Sequence, residues 1–227
     1  MKTIVDKIDI AYCVILDKRI EFWPDLQKSF ADKGIDLKKF VVGDGKTLPE
    51  KEYSLIDIPE KPPLYNVTNF YTSWVTKTNA YNAFLSHRKI IDTCFLRRNK
   101  NVLIIEDDVF IENDFNEIIN NIGDYFENNQ FDLIQFGAYH SGKTQEILPN
   151  LLKTSDSGGW HGVLINNSIF RHLLSFLPVG PFDWICGQYI QNNYNCYSIY
   201  PSIISQKNGY SYVEGSELDK PSRYQKC

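Results

Sequence analysis

The stretch at residues 101–108, Asn-Val-Leu-Ile-Ile-Glu-Asp-Asp, decides the fold of this chain. Its apolar run at residues 102–105 is unbroken and rich in β-branched side chains, which is typical of a strand covered on both faces in a parallel α/β sheet. Three carboxylates follow without a gap. Because side chains alternate along a strand, we expect Glu106 and Asp108 on one side and Asp107 on the other.

The three carboxylates indicate a cation site. Adjacent carboxylates repel one another, so holding several together is costly unless a cation neutralises them. At the carboxyl end of a buried strand they lie where open α/β sheets bind ligands, and their hard oxygens suit Mg²⁺ or Mn²⁺. One interpretation is a divalent ion that links this site to a diphosphate. The other is a solvated turn into the next helix, in which Asp107 or Asp108 acts as a cap.

The composition is that of a single globular domain. The chain has 227 residues, 43% of them hydrophobic and 23% charged, which predicts one domain, residues 1–227, with an ample core. The net charge of −4 argues against a general nucleic-acid binder. No apolar run is long enough to span a membrane, and the first residues lack the apolar region of a signal peptide.

The five cysteines are odd in number and have no zinc-type spacing. Cys13 and Cys94 fall in apolar patterns, where a free thiol behaves as a small buried hydrophobe. We therefore expect a reducing compartment such as the cytoplasm, for this chain alone or as a domain of a longer one.

The chain opens with a β-α-β pattern. A strand is predicted at residues 8–16, a helix at 24–33 and a second strand at 37–42. This order implies parallel strands joined by a right-handed crossover. The turn that follows, Gly43-Asp44-Gly45, either lets a ligand approach the backbone closely or is simply a two-glycine turn.

The remaining periodicity predicts an α/β fold in which further helices and strands follow one another. Further helices are predicted at 79–98, at 113–128, from a cap at Asn166 or Asn167 to 177, and at 184–190, and further strands at 131–136, 160–166 and 194–200. Residues 47–78 and 139–159 are predicted to be irregular, the second as a mobile surface segment or lid. The polar residues from 202, including a tail at 205–227, are predicted to wrap across the surface.

The first irregular segment is rich in aromatic side chains. It carries Tyr65, Phe70, Tyr71 and Trp74. These rings either stack on a sugar or pin the segment to the core.

Four stretches, in the same order, resemble one known family. They are 14–19 (Val-Ile-Leu-Asp-Lys-Arg), 40–46 (Phe-Val-Val-Gly-Asp-Gly-Lys), 84–87 (Phe-Leu-Ser-His) with 102–108, and 181–183 (Pro-Phe-Asp) with 200–206 (Tyr-Pro-Ser-Ile-Ile-Ser-Gln). The family is glycosyltransferase family 25, which includes lipopolysaccharide β-galactosyltransferases and collagen hydroxylysine galactosyltransferases. The chain departs from it at Ala80 and Ala83, where the family commonly has Glu and Cys, and this leaves the substrate detail open.

The resemblance implies a GT-A-type fold, with a Rossmann-like, mostly parallel sheet flanked by helices, and an inverting reaction. The implied donor is a UDP-hexose, UDP-galactose or UDP-glucose, and the acceptor is a hydroxyl on a glycan or on a hydroxylysine-type protein side chain. A divalent ion, Mn²⁺ or Mg²⁺, would neutralise the charge that develops on the leaving diphosphate.

The predicted metal ligands are Asp108 first and Glu106 second. His161 is a further candidate ligand, and the alternative for it is a hydrogen-bonded strand histidine. Asp107 is expected to hold ribose or sugar hydroxyls. An inverting displacement needs a base opposite the leaving group, and Asp183 is the candidate, with a helix N-cap as its alternative role.

The predicted nucleotide contacts lie near the first two strands. Asp17 and Arg19 would contact the nucleotide, since a cation beside a diphosphate makes strong charge-assisted contacts. Asp44 and Gly45 would border the uracil and ribose, Gly43 is a further predicted nucleotide contact, and the resemblance places Ser86 and His87 near the site.

Three rival functions remain at this point, and a homodimer is also possible. A catalytically inactive nucleotide-sugar or glycan-binding module would retain the nucleotide contacts and fail at Asp183. A metal-dependent phosphoesterase would need further His or Asp ligands, but the chain has four His without paired spacing. An oligomeric interaction domain would bind no ligand.

Overall fold

The computed structural model describes residues 3–43, 74–176, 181–211 and 216–218. The helices are α1 (Trp23–Ala31), α2 (Trp74–Leu96), α3 (Phe115–Asn128), α4 (Phe170–Ser175) and α5 (Phe182–Tyr189). Three 3-10 turns cover Val5–Lys7, Asp17–Phe22 and Asn167–Ile169. The strands are β1 (Ile10–Leu16), β2 (Leu37–Val42), β3 (Asn101–Glu106), β4 (Val109–Ile111), β5 (Leu133–Gln135), β6 (Tyr139–His140), β7 (Thr144–Leu148), β8 (Leu151–Thr154), β9 (Ser157–Gly158), β10 (Gly162–Asn166), β11 (Cys196–Ile199), β12 (Ile204–Gln206), β13 (Gly209–Ser211) and β14 (Ser216–Leu218).

Eight of these strands form one sheet in the order β2-β1-β3-β10-β5-β11-β8-β7. β1 is parallel to both β2 and β3, and β11 is parallel to β5. β10 is antiparallel to its two neighbours, and so is β8. Six of the eight strands therefore point the same way, which confirms the predicted mostly parallel α/β sheet with flanking helices.

The predicted β-α-β opening is confirmed. Leu37 of β2 pairs with Ala11 of β1, and the two strands stay in parallel register to their ends. Between them, α1 buries Leu26 and Phe30, which lie four residues apart on one helix face. The turn after α1 contains Gly34 at a φ of 78°, a backbone conformation that glycine adopts without strain.

The central strand β3 packs on both faces, as its apolar run predicts. Leu103 and Ile105 join one hydrophobic cluster with side chains of α1 and α3. Val102 and Ile104 join a second cluster with side chains of α2, α4 and α5. All four side chains are fully buried, so the alternation of a strand divides the core into two layers around one sheet.

Two predicted irregular segments have regular structure instead. Residues 139–159 form four strands, and the β7–β8 hairpin is one edge of the main sheet. The prediction of an irregular segment there was wrong, because an edge strand exposes polar side chains and so lacks a long apolar pattern. Its predicted mobility and lid role stay predictions. Residues 74–78, predicted to be irregular, belong to α2.

The start of the predicted surface tail is buried. Residues 202–206 are almost fully enclosed, and β12 pairs antiparallel with β4 directly after the carboxylate cluster. The prediction that these polar residues wrap across the surface was therefore wrong. The hydrogen bonds of a small second sheet satisfy their polar groups in the interior.

Several predictions lie outside the described residues. These are Asp44 and Gly45, and the aromatic residues Tyr65, Phe70 and Tyr71. Gly43 is the last residue described before that gap and is exposed.

Cys13, Cys94, Cys186 and Cys196 are buried free thiols. No helix in the described ranges has the length and apolarity to cross a membrane.

Candidate functional site

The carboxylate cluster lies at the carboxyl ends of β1 and β3, which are neighbours inside the sheet. The two strands are parallel, and Val14 pairs with Glu106 at their carboxyl ends. The residues after β1 and the residues after β3 therefore lie together at the carboxyl ends of the strands, where sheets of this type bind ligands.

Asp107 ties the end of β3 to the end of β1. Its Oδ2 accepts a hydrogen bond from the backbone N–H of Leu16 at 2.9 Å, and its Oδ1 lies 3.0 Å from Nη1 of Arg19. The carboxylate is only 7% exposed. Two predicted site residues, Arg19 and Asp107, are thus in direct contact.

Burial controls the protonation of Asp107. Removal from water raises the pKa of Asp107, and the neighbouring Asp108 charge also raises it. The Leu16 N–H and the Arg19 guanidinium oppose this rise, because they stabilise the charged carboxylate. Its predicted contact with ribose or sugar hydroxyls stays a prediction.

Glu106 and Asp108 face a common point, as the alternation predicts. The Nε2 of Gln206 donates to Oε2 of Glu106 at 3.1 Å and lies 3.3 Å from each carboxylate oxygen of Asp108. Three carboxylate oxygens therefore surround one amide nitrogen. The Oε1 of Gln206 accepts a hydrogen bond from the hydroxyl of Tyr139 at 3.0 Å.

These two carboxylates offer the kind of oxygens that a divalent ion takes. Within the described ranges, however, no three His, Cys, Asp or Glu side chains form a group that could hold a metal ion. The pair accordingly needs other oxygens to complete a coordination shell. Gln206, whose amide contacts both carboxylates, carries one such oxygen.

His161 directly precedes β10 and lies in the protein interior. It is fully buried, and its Nε2 is 3.2 Å from the carbonyl oxygen of Ile204. A Cβ at Gly137 would lie 2.4 Å from the same nitrogen, so glycine makes room for the ring. These contacts match the alternative role of a hydrogen-bonded strand histidine, and the metal role of His161 stays a prediction.

Asp183 lies in the first turn of α5 and is half-buried. Its Oδ2 accepts a hydrogen bond from the N–H of Gly159 at 2.9 Å, and its Oδ1 accepts one from the N–H of Trp184 at 2.8 Å. The alternative role as a helix N-cap was wrong, because Pro181 is the N-cap of α5 and Asp183 lies inside its first turn. Its role as a base stays a prediction.

A short segment links Asp183 to the carboxylate pair. Gly159 binds Asp183, and two residues later the carbonyl of His161 accepts from the N–H of Glu106 at 3.0 Å. Gly159 has a φ of 90°, where a side chain would be strained. The candidate base and the candidate metal ligands are thus held by the two ends of residues 159–161.

The Leu-Ser-His stretch of α2 packs below Asp183. His87 is 4% exposed and stacks on the ring of Phe182 with centroids 6.1 Å apart. Its Nδ1 lies 2.9 Å from the carbonyl oxygen of Ala83, and among the described residues its Nε2 has no hydrogen-bond partner. Ser86 is also buried and donates to the carbonyl of Asn82 at 2.7 Å.

The environment of His87 favours its neutral form. Burial lowers the pKa of His87, while the backbone of Ala83 and the Asp183 carboxylate act in the opposite direction. Trp160, whose ring meets His87 edge-on, likewise buries an indole Nε1 that has no partner in the described part of the chain. Two buried polar atoms, Nε2 of His87 and Nε1 of Trp160, thus lie near the ring of Phe182 without a hydrogen-bond partner among the described residues.

Asp17 is exposed at the carboxyl end of β1 and accepts a hydrogen bond from the N–H of Lys18 at 2.7 Å. Its predicted nucleotide contact, like that of exposed Gly43, stays a prediction.

Sequence reasoning missed the contacts of Tyr139 and Gln206. Gln206 ends the stretch 200–206 that resembles the family, but its partner Glu106 is 100 positions away, so no local pattern could pair them.

A comparison of the chain with protein families finds one match. Residues 14–157 match the family described as "Glycosyltransferase family 25 (LPS biosynthesis protein)". The matched region covers well over half of the chain, from the last three residues of β1 to the first residue of β9, and includes Arg19 and the carboxylate cluster. A search of curated protein sequences finds no match.

Two solved structures are similar at low sequence identity. The crystal structure of A197 from STIV aligns over 96% of this chain and 97% of that one, with 9% identity and a TM-score of 0.44. A glycosyltransferase involved in the glycosylation of the major capsid of PBCV-1 aligns over 73% of this chain and 65% of that one, with 10% identity and a TM-score of 0.33.

Proposed function

We propose that this chain, which belongs to glycosyltransferase family 25, transfers a hexose from a UDP-sugar to a hydroxyl group. Membership of the family makes the chain a glycosyltransferase, with a sugar donor and an acceptor. The finer proposal names UDP-galactose or UDP-glucose as the donor, and a glycan or a hydroxylysine-type side chain as the acceptor. It treats the sheet as the nucleotide-binding part of a GT-A-type fold.

The observation that carries the proposal is the convergence of Glu106 and Asp108 at the edge shared by β1 and β3. Their oxygens lie 3.1 to 3.3 Å from one point, the Nε2 of Gln206. This donor set fits Mn²⁺ or Mg²⁺, which would neutralise charge on the leaving diphosphate. Arg19, held by Asp107 at the same edge, supplies a fixed positive charge for the same purpose.

Asp183 is the proposed base. In the inverting reaction, the acceptor oxygen bonds to the anomeric carbon as the bond from that carbon to the phosphate oxygen breaks, and the electron pair leaves with UDP. The proton of the acceptor hydroxyl passes to the Asp183 carboxylate. Hydrogen bonds from Gly159 and Trp184 fix this carboxylate in place, and each oxygen keeps a lone pair for the proton.

The test is release of UDP from a panel of donors, with and without Mn²⁺. We expect release from UDP-galactose or UDP-glucose that depends on Mn²⁺, and little release from GDP-mannose. Equal release from all donors, or release unaffected by chelation, contradicts the donor and cation proposals. Tight UDP-sugar binding without release over a broad acceptor panel would instead identify a catalytically inactive binding module.

A further inference from the structure

Gln206 occupies the point between the two carboxylates of the proposed cation site. Its amide nitrogen donates toward Oε2 of Glu106 and both carboxylate oxygens of Asp108, at 3.1 to 3.3 Å. The side chain is only 9% exposed. Its position is fixed by β12, which pairs residue for residue with β4 just after the cluster.

The polar amide hydrogens of Gln206 reduce the repulsion between the two acids. Two carboxylates that face one point repel each other, and hydrogen bonds to the charged forms stabilise them. A neutral amide can perform this task only partly, because it supplies no net charge. A divalent ion at the same point would neutralise both carboxylates.

Tyr139 holds the other end of the amide. Its hydroxyl donates to Oε1 of Gln206 at 3.0 Å. A tyrosine hydroxyl is both a donor and an acceptor, and the oxygen and nitrogen of a glutamine amide are nearly equal in size. The amide can therefore turn by half a rotation, so that its nitrogen faces Tyr139 and its oxygen faces the carboxylates, without a change in packing volume.

We propose that Gln206 performs this half-rotation when the cation binds and becomes its third protein ligand. In the cation-free protein the amide nitrogen faces Glu106 and Asp108. With the cation present the N–H groups would point at a positive charge, whereas Oε1 is a hard oxygen of the kind that Mg²⁺ and Mn²⁺ take. This inference rests on the cation site of the proposed function and assigns it a ligand.

A bound divalent ion would need shorter distances to the carboxylate oxygens than the amide nitrogen has. Metal–oxygen distances for Mg²⁺ are about 2.0–2.1 Å, shorter than the present 3.1 to 3.3 Å to the amide nitrogen. Glu106 and Asp108 lie on either side of Asp107, which is anchored to Leu16. Binding of such an ion would therefore require the side chains of Glu106 and Asp108 to move closer to it, while the anchored strand end could stay in place.

The test is Mn²⁺ binding by calorimetry on the full chain without nucleotide. Gln206→Leu, which keeps the volume and removes the oxygen, should weaken Mn²⁺ binding about 10-fold or more, as loss of a supporting group at a metal site does. Gln206→Glu keeps an oxygen and should bind Mn²⁺ at least as tightly as wild type. Without Mn²⁺, Gln206→Glu should unfold at a lower temperature, because three carboxylates then meet.

The matched control is Gln188→Leu. Gln188 is exposed, and its amide donates to Oδ1 of Asp156 at 2.7 Å, so it is a glutamine–carboxylate contact outside the cluster. This variant should bind Mn²⁺ as wild type does. If Gln206→Leu binds Mn²⁺ as tightly as wild type, or more tightly, the amide only blocks the site and the inference is overturned.

A measurement on the wild-type chain covers the case in which Gln206→Leu does not fold. In protein labelled with ¹⁵N at glutamine, the side-chain NH₂ signal that Gln206→Glu lacks should shift when Mg²⁺ is added, and an unchanged signal overturns the inference. Absence of Mn²⁺ binding in wild type overturns both this inference and the cation part of the proposed function. Mn²⁺ binding through Gln206 in a chain that never releases UDP leaves the inference intact and refutes the proposed function alone.

Discussion

Asp183 uses both carboxylate oxygens to accept backbone hydrogen bonds, and it is also the proposed base. The N–H of Gly159 holds one oxygen and the N–H of Trp184 holds the other. The peptide group that supplies the Gly159 N–H is itself hydrogen-bonded on its other side, because the amide of Gln135 donates to the carbonyl of Gly158 at 2.9 Å. The orientation of the carboxylate is therefore set before any substrate arrives, which is what proton transfer in a fixed geometry requires.

We predict that Asp183→Asn retains UDP binding and loses transfer. The amide keeps one acceptor oxygen and the shape of the side chain but cannot take the acceptor proton, so kcat should fall by about 10²- to 10⁴-fold. The measurement is kcat for transfer, with the UDP dissociation constant determined in parallel. Asp132→Asn is the control, because Asp132 accepts similar hydrogen bonds from Ser168 and Asn195 at the opposite end of the sheet. Wild-type kcat in Asp183→Asn would move the base elsewhere.

Individual side chains were predictable where a local period governs them. Alternation along β3 placed Glu106 and Asp108 together and turned Asp107 toward the neighbouring strand. The partners themselves were not predictable, because Leu16 lies 91 positions from Asp107 and the fold alone brings them together. His161 shows the same limit, since only the burial of its ring and its contact with Ile204 distinguish its two candidate roles.

The strand β12 packs closely against Gly137, which lies just before β6. A Cβ on Gly137 would lie 2.2 Å from the carbonyl oxygen of Ile204 and 2.4 Å from Nε2 of His161. The Ile204 oxygen belongs to the backbone of β12 and cannot move without displacing Gln206, two residues later. A single added methyl group thus tests whether the packing of one element controls the carboxylate site.

We predict that Gly137→Ala destabilises the fold by about 3 kcal/mol or more, at the upper end of overpacking effects. The free energy of unfolding in urea is the measurement. Gly34→Ala is the control: its added Cβ would meet nothing within 4 Å, but its φ of 78° is strained for alanine, so it should cost about 1–2 kcal/mol. A Gly137→Ala protein as stable as wild type would contradict the observed packing.

Elements were predictable where their hydrophobic pattern is long and strongly periodic. The amphipathic helix predicted at 113–128 is α3, with Ile118, Ile119 and Ile122 buried. The short polar strands at 139–159 were not predictable, since β7 is an edge strand with mostly exposed or half-buried side chains. β12 has only three residues, and its burial follows from pairing with β4 rather than from its composition.

At the scale of the whole molecule, two histidines resist protonation, the buried His87 and the half-buried His140. Burial lowers the pKa of both His87 and His140 below the ordinary value of 6.5. As the pH falls below that value, the unfolded chain takes up protons that the folded protein resists, so the unfolded state gains stability. The histidine contribution is therefore complete above about pH 6.5 and is lost as the pH falls through the folded-state pKa values.

We predict that the free energy of unfolding rises from pH 5 to pH 7 and that His87→Gln reduces this rise. Asp107 acts in the opposite sense, because its raised pKa makes stability fall as the pH rises, so the comparison uses the difference between variant and wild type. Ile185→Val, a change in the same hydrophobic cluster, should keep the wild-type slope. An identical slope in His87→Gln would show that His87 titrates alike in the folded and unfolded chain.

The architecture as a whole followed from the order of patterns along the chain. Two strands and a helix at the start, then the buried strand β3, predicted the parallel half of the sheet. The antiparallel insertion of β10 between β3 and β5 was not predictable, because a strand buried on both faces has the same apolar pattern in either direction. That insertion carries residues 159–161 to the site and so joins Asp183 to the carboxylate pair.

The central claim is that Glu106 and Asp108 bind a cation and, through it, the diphosphate of the donor. The most direct measurement is calorimetric titration of UDP into wild type and Asp108→Asn, each with Mn²⁺ and after chelation. We predict that wild type binds UDP at least 10-fold more tightly with Mn²⁺, equivalent to about 1.4 kcal/mol, and that Asp108→Asn remains folded but loses this difference. Equal UDP affinity with and without Mn²⁺ in wild type, or an undiminished Mn²⁺ effect in Asp108→Asn, would contradict the claim.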